Sequence, residues 1–363
     1  MELHTMRSTA LPITFSSSTT RRNDNLVAAF EIFGCDDYFY LGGHMNKYNG
    51  LINIYKEQGF TSNDVVAKLR GILHQKKIGH TGTLDPDATG VLVVCLGTGT
   101  KLVEMLTDHD KEYIAVCKLG VTTDTQDMSG TILEEAEVNV TRQQLHEAVQ
   151  AFVGDYDQIP PMFSAIKQNG KKLYELAREG IEVERKPRKV HISAITILDD
   201  SNLDKDNTFV MEVKCSKGTY IRTLCNDIGL RLGCGAAMQN LMRTRVGAFA
   251  LDTAVKLSQV EEMRDNGTLE GIIQSPEYIF KDLDKIHVKD SCRALLENGN
   301  SFRKDNVVNE DPDEVNDTEF SEQMFTDGNM VRVYAEDDTF FGIYKYDART
   351  RQFKVDKFFF EKN

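Results

Sequence analysis

The chain has 363 residues, 40% of them hydrophobic and 27% charged, with a formal net charge of −13. That is the composition of an ordinary folded globular protein of two or three domains. No stretch approaches the ~18 consecutive apolar residues of a membrane span, and Met1 to Arg22 lacks the apolar centre of a secretory leader. Neither membrane insertion nor export is therefore expected, and the cytoplasm is the expected location.

Residues 1–44 are rich in Ser, Thr, Arg and Asn and match nothing in the rest of the chain. A well-patterned start appears at Met45, which reads as the true initiator, leaving 1–44 as an upstream extension or disordered tail. Leu51 to Tyr55 reads as a strand. Thr61 to Lys77 has helical periodicity, with Val65, Val66, Leu69, Ile72 and Leu73 on one face and Ser62 as the expected cap. Gly79 to Gly90 is too rich in Gly and Pro for a regular element and reads as a loop, before a buried strand at Val91 to Leu96. Tyr113 to Leu119 and Phe209 to Cys215 alternate as strands, whereas Gln143 to Val153 and the segment carrying Ile221, Leu224, Ile228 and Leu232 read as helices. These elements lack regular βαβ spacing, which points to an α+β fold on a mixed or antiparallel sheet flanked by helices. Short aromatic strands come last, at Met330–Tyr334, Phe340–Tyr346 and Phe353–Phe359, separated by acidic turns. They suggest a small β-rich domain over 286–363, after a main domain over 45–285.

The seven cysteines (35, 95, 117, 215, 225, 234 and 292) contain no CxxC pair, and the eight histidines do not cluster at ligand spacing. Free thiols in a reducing compartment fit better than a disulfide frame, and no metal site is expected. Gly97-Thr98-Gly99-Thr100-Lys101 superficially resembles a phosphate loop without having its spacing. The negative net charge taken alone argues against a nucleic-acid partner. Residues 167–190, however, carry Lys167, Lys171, Lys172, Arg178, Arg185, Lys186, Arg188 and Lys189 against four glutamates, while 305–338 is strongly acidic. Phosphates respond to a local basic face, although such runs are more often merely solvated surface.

Asp85 has two readings. An Asp before a Pro is ordinary turn chemistry; the same residue in a glycine-rich loop between a basic helix and a buried strand can be a nucleophile or acid/base. The twelve residues Gly79-His80-Thr81-Gly82-Thr83-Leu84-Asp85-Pro86-Asp87-Ala88-Thr89-Gly90 resemble the signature loop of the TruB family of pseudouridine synthases. Further resemblances come in the family's order at Asp110 to Tyr113, Ile159 to Tyr174, Cys215 to Leu224 and Leu232 to Leu241. The resemblance runs continuously over about 49–255 and more weakly over 286–363, where family members often carry a PUA-like RNA-binding module. Many members read Lys-Pro-x-Gly where this chain has Lys56-Glu57-Gln58-Gly59, which keeps the lysine and the glycine.

The resemblance implies isomerisation of uridine 55 in the T-loop of tRNA, with Asp85 as nucleophile toward either the sugar C1′ or the base C6. It assigns Arg222 as the cation beside Asp85, which should hold that carboxyl's pKa down. Tyr113 becomes the ring stacked on the flipped base and a candidate proton acceptor. His80 lies against the displaced stack, and Tyr220 and Leu241 line the pocket. Lys167, Lys171 and Lys172, beside the Pro160-Pro161 turn, are expected to meet phosphates. The reaction breaks and remakes one glycosidic bond without oxidation or group import, so no cofactor is expected. The expected partner is the tRNA T-arm, bound by a monomer. Two other classes stay open: a tRNA-folding chaperone, alone or alongside the isomerase, and a hydrolase pairing Asp85 with Asp87.

Overall fold

The computed structural model describes residues 47–168, 170–308 and 324–362. The expected N-terminal extension, the Met45 start and Cys35 lie outside the described residues. The chain opens with β1 (Gly50–Lys56), α1 (Ser62–Leu73), β2 (Ile78–His80) and β3 (Thr89–Leu96). Next come α2 (Val103–Thr107), β4 (Lys111–Leu119), β5 (Val121–Thr123), β6 (Ile132–Glu135), α3 (Arg142–Gln150) and β7 (Gly154–Gln158). A small hairpin of β8 (Lys167–Gln168) and β9 (Lys171–Lys172) leads into α4 (Leu173–Arg178) and the long β10 (Arg188–Asp199). After α5 (Leu203–Asp206) and β11 (Thr208–Cys215) come α6 (Ile221–Leu232), β12 (Ala236–Val246), β13 (Phe249–Ala250) and α7 (Leu257–Asp265). The C-terminal part holds β14 (Lys285–Val288), α8 (Arg293–Glu297), β15 (Phe302–Arg303), β16 (Met330–Ala335), β17 (Phe340–Asp347) and β18 (Gln352–Phe358).

Among the described residues, nine strands form one sheet in the order β1-β3-β12-β4-β11-β10-β7, with β13 on β12 and β2 on β3. Every pairing is antiparallel except β3 with β12, so the sheet is mixed and the expected α+β class holds. A second sheet, β14-β16-β17-β18-β15, gathers the C-terminal strands.

Strand chemistry explains how the sheet is covered. In β4 and β11, alternate residues point inward: Tyr113, Ala115, Cys117 and Leu119 from one, Phe209, Met211, Val213 and Cys215 from the other. They pack with Ile221, Leu224 and Ile228 of α6 and Leu145 and Val149 of α3 in a single core. By contrast, β3 is buried on both faces. Its Leu92, Val94 and Leu96 meet α1 and α7, while Val91, Val93 and Cys95 meet Phe280, Ile343 and Phe359. Each such Val or Leu stabilises the fold by about 1.5–3 kcal/mol, which makes β3 a rigid post behind the loop that precedes it. The six described cysteines are free and buried. No helix among the described residues is long and apolar enough to cross a membrane.

Three local expectations are corrected. Helix α1 ends at Leu73 rather than Lys77, because His74 turns left-handed at φ 50°. Gln75 then bonds both backbone groups of Tyr48 at 2.9 Å, which drags the chain away from the helix axis. The cap is Thr61, not Ser62: Thr61 Oγ1 accepts from the Asp64 amide and Asp64 accepts from the Thr61 amide. The Ser62 hydroxyl is instead buried, accepting from the Leu84 amide at 2.9 Å and donating to the Leu84 carbonyl at 3.3 Å. The expected loop is also shorter at both ends, since His80 closes β2 and Thr89 opens β3.

Candidate active site

Asp85 sits on a turn closed by the Ala88 amide donating to its carbonyl at 3.1 Å, with Pro86 pre-setting the turn's second residue. The surrounding loop is fastened from four sides. Lys56, fully buried, donates from Nζ to the carbonyls of Pro86 (3.0 Å), Ala88 (2.5 Å) and Glu57 (3.2 Å). The Gly59 amide, presented by a backbone at φ 86°, donates to the Pro86 carbonyl at 2.9 Å. The kept lysine and glycine of the Lys56–Gly59 segment thus both hold the Asp85 loop. Ser62 clasps Leu84 through both of its backbone groups. From the far side, buried Arg243 donates to the carbonyls of Val91 (2.7 Å) and Gly82 (3.2 Å). Gly90 must be glycine here, since its φ is 103° and a β-carbon would lie 2.1 Å from the Arg243 carbonyl oxygen.

Arg222, in the first turn of α6, meets this loop as a fork. Its Nε lies 3.0 Å from Asp85 Oδ2 and its Nη2 lies 3.3 Å from Asp85 Oδ1. Nη2 also donates to the Phe163 carbonyl (2.9 Å), and Nη1 to the Thr125 carbonyl (3.1 Å) with Asp127 Oδ2 at 3.6 Å. The Arg222 side chain is 7% exposed, so it is a buried charge in a built socket rather than a surface cation. The Asp85 side chain keeps 39% exposure, and one face of the carboxylate opens to solvent. Asp87, the other half of the hydrolase alternative, is exposed and forms no bond with Asp85; the second carboxylate on the guanidinium is Asp127.

Tyr113 faces the same core, with Arg243 as its cross-strand partner on β12 and Val213 on β11. Leu241 packs with Tyr113 and Leu84 in that core. Tyr220 caps the start of α6, and Gln158 grips its backbone from both sides: the Tyr220 amide donates to Oε1 (2.7 Å) while Nε2 donates to the Tyr220 carbonyl (2.9 Å). His80 is half-buried and accepts from the Gly82 amide at 3.3 Å. The three lysines stand apart. Lys167 and Lys172 are directly opposite across the β8–β9 hairpin, Lys171 pairs with Glu179 at 3.1 Å, and Lys172 donates to the Tyr174 hydroxyl at 3.2 Å. Among the described residues none of them bonds Asp85 or Arg222; the segment that follows the hairpin bonds the Ser164 and Ile166 carbonyls, next to the Phe163 carbonyl that Arg222 holds.

Residues 70–221 match the N-terminal domain of the TruB family of pseudouridylate synthases, and 222–281 match the C-terminal domain of tRNA pseudouridylate synthase B. The chain is 50% identical over 315 residues to the tRNA pseudouridine synthase B of Lachnoclostridium phytofermentans, covering 86% of this chain and 99% of that one. It is 41% identical over 316 residues to its namesake from Alkaliphilus oremlandii, with the same coverage. The chain belongs to the TruB family. It is accordingly a pseudouridine synthase, an isomerase. A solved Cbf5–Nop10–Gar1 complex superposes with a TM-score of 0.60 at 26% identity, over 86% of this chain and 85% of that one. An archaeal box H/ACA Nop10–Cbf5 complex gives 0.59 at 26%, over 87% of each. Both agree with the mixed sheet and its flanking helices.

Within this TruB-family site the electrostatics differ from expectation in one respect. Burial in the cleft pushes the Asp85 carboxyl above its ordinary range; Arg222 pulls it down, Asp127 pushes it up again, and Lys56 pulls it down. The expected cation is present, but desolvation outweighs it. Burial likewise raises the Tyr113 phenol, despite Arg243 beside it, so the ring is neutral in the free enzyme. Burial first, and then Arg243, lowers the His80 imidazole, which keeps it uncharged at neutral pH. The Lys56 ammonium is pulled down to about 8, chiefly by burial.

Three contributors to the site escaped the sequence reading: Asp127, Arg243 and the bonding role of Lys56. Each carried a signal. Arg243 and Lys56 are cations at buried positions of strands that also carry core residues, where a charge needs a built partner. Asp127 lies in Thr123-Asp124-Thr125-Gln126-Asp127-Met128-Ser129-Gly130, a polar turn whose carboxylates bond the loop's own hydroxyls and amides.

Proposed function

We propose that this chain isomerises uridine 55 in the T-loop of tRNA, with Asp85 as the nucleophile once the base has been flipped from its stack. The observation that carries the reading is the fork from Arg222 to both oxygens of Asp85, at 3.0 and 3.3 Å, on a carboxylate that still opens to solvent. The guanidinium keeps one reactive acid oriented and, against the push of burial, favours its ionised form. Attack by the carboxylate takes up the glycosidic carbon or the base; the C1′–N1 bond breaks, C1′–C5 forms, and the C5 proton leaves as N1 gains one. Nothing is oxidised or imported, so the scheme calls for neither a cofactor nor a metal.

Flipping costs a few kcal/mol, offset by stacking and by filling the vacated space. Tyr113 is placed in this scheme as the stacking ring and candidate proton acceptor, with Arg243 at hand to stabilise a phenolate. His80 stays neutral and takes the space of the departed base. Tyr220 and Leu241 wall the pocket. Lys167, Lys171 and Lys172 meet T-arm phosphates, a use consistent with the like charges set opposite each other on the hairpin, which favour an anion between them. Residues 45–285 form the catalytic domain and 286–363 a PUA-like RNA-binding module. The enzyme acts as a monomer in the cytoplasm.

The test is Asp85→Asn, followed by release of tritium from C5-labelled uridine in T-arm RNA and by mapping of the product. Loss of all isomerisation with tRNA affinity within about twofold is the expected result. Pseudouridine formation at the parent rate would overturn the assignment. An additional chaperone role would show as tRNA refolding by the same inactive variant.

A further inference from the structure

The socket around Arg222 is only partly explained by Asp85. The guanidinium's other edge rests on the 123–131 loop, through the Thr125 carbonyl at 3.1 Å and Asp127 Oδ2 at 3.6 Å. That loop has few apolar anchors, and something must fix its distance from α6. Between the two residues that touch Arg222 lies Gln126, whose backbone is left-handed at φ 62°. This conformation is uncommon for a residue with a long side chain; glycine or asparagine would adopt it more readily. Glycine, however, would lack the acceptor that this glutamine supplies. Its Oε1 accepts from the Thr223 hydroxyl at 2.8 Å, and Thr223 is the buried neighbour of Arg222 in the first turn of α6. The Gln126 carbonyl accepts from the Met238 amide (3.0 Å), tying the same residue to β12. Gly130 packs so closely on Thr125 and Asp124 that a β-carbon there would lie 2.2 Å from Thr125 Oγ1, so the loop is tight within itself and moves as one piece.

We propose that Gln126 is a positioning residue for the isomerisation: its bond to Thr223 locks the 123–131 loop on the first turn of α6 and fixes the edge of Arg222 that Asp85 does not hold. This rests on the reading of Asp85 and Arg222 as the catalytic pair. Without the lock, Thr125 and Asp127 drift from the guanidinium, which can then rotate out of its fork on Asp85. Substrate binding is untouched, because neither Gln126 nor Thr223 needs to meet RNA for the lock to act. The defect therefore falls on the chemical step.

Gln126→Gly removes the side chain while making φ 62° easier for the backbone, which offsets part of the cost of leaving the buried Thr223 hydroxyl without its acceptor. Thr223→Val removes the hydroxyl at constant shape, and Thr223→Ser restores it. Single-turnover rates on saturating tRNA, measured well below each melting temperature, should fall about five- to twentyfold for Gln126→Gly and for Thr223→Val, the worth of one buried hydrogen bond. Affinity for tRNA should stay within about twofold, Thr223→Ser should recover most of the rate, and the double variant should be no slower than the slower single one. Parent rates in both single variants, with Asp85→Asn inactive, would overturn this inference and leave the catalytic pair standing. So would a Thr223→Ser as slow as Thr223→Val, or a loss that tracks melting temperature. An active Asp85→Asn would instead bring down the reading on which the inference rests.

Discussion

Replacing Arg222 with lysine keeps the charge and removes the fork. An arginine side chain has five N–H donors in a fixed plane; here it hydrogen-bonds Asp85 Oδ1 and the Phe163 and Thr125 carbonyls, with Asp85 Oδ2 and Asp127 at ion-pair distance. A lysine brings three donors from one atom and cannot span that arc, so at least two acceptors are stranded in a buried socket. At about 1–3 kcal/mol for each stranded group, the fold should lose roughly 2–6 kcal/mol. For a chain of this size that is a fall in melting temperature of roughly 3–8 °C. The chemical step should suffer separately. Asp85 keeps a cation nearby but loses its two-point hold, and about 3 kcal/mol of lost orientation corresponds to roughly a hundredfold slower single turnover. Both quantities come from one protein preparation, by thermal unfolding and by tritium release on saturating tRNA. A lysine variant within about fivefold of the parent rate and with an unchanged melting temperature would show that the fork is not what the site depends on.

Lys56 makes a pH-dependent prediction. Its ammonium has a folded-state value of about 8 against 10.5 for the free side chain. Between those values the unfolded chain binds more protons, so the cost of burying the charge is fully present below pH 8 and is relieved as pH rises through that window. Relative to Lys56→Met, the parent should gain stability from pH 7 to 9.5 in urea unfolding, a comparison in which Lys111, also lowered to about 8, cancels. Activity should move the opposite way, because a neutral amine has two donors for three carbonyls, and the parent's rate should decline above pH 8. Gly90→Ala should cost well over 3 kcal/mol or abolish soluble expression, whereas Gly59→Ala, with open space around its β-carbon, should cost about 1–2 kcal/mol in the same unfolding assay. Lys167→Ala should lower the salt slope of tRNA binding by roughly one unit and leave the rate on bound RNA unchanged, while Lys171→Ala, already held by Glu179, should change it less. Equal slopes for both variants and the parent would remove the hairpin from the RNA interface.

What the sequence disclosed, it disclosed through short-range pattern. The alternation in β4 and β11, the apolar run of β3 and the helical face of α6 are each one continuous stretch answering to one core. Strand β12 was missed because its register shifts twice against β4 and because Gln239, Asn240 and Arg243 break its apolar rhythm. Thr61 took the cap from Ser62 because a long-range partner, Leu84, claimed the serine hydroxyl. The Asp85–Arg222 pairing came from the family resemblance; no local signal joins residues 137 positions apart. The direction of the Asp85 shift needed the depth of the cleft and the nearness of Asp127, neither of which spacing encodes.

The back face of β3 has a consequence for anyone shortening this chain. Val91, Val93 and Cys95 lie against Ile343 and Phe359, side chains contributed from the far end of the polypeptide. The tail is therefore a wall of the catalytic half as much as an appendage to it. Trimming the chain at 285 would bare greasy surface directly behind the strand that begins four residues after Asp85, and the truncated enzyme should clump or soften before its grip on RNA could be assessed.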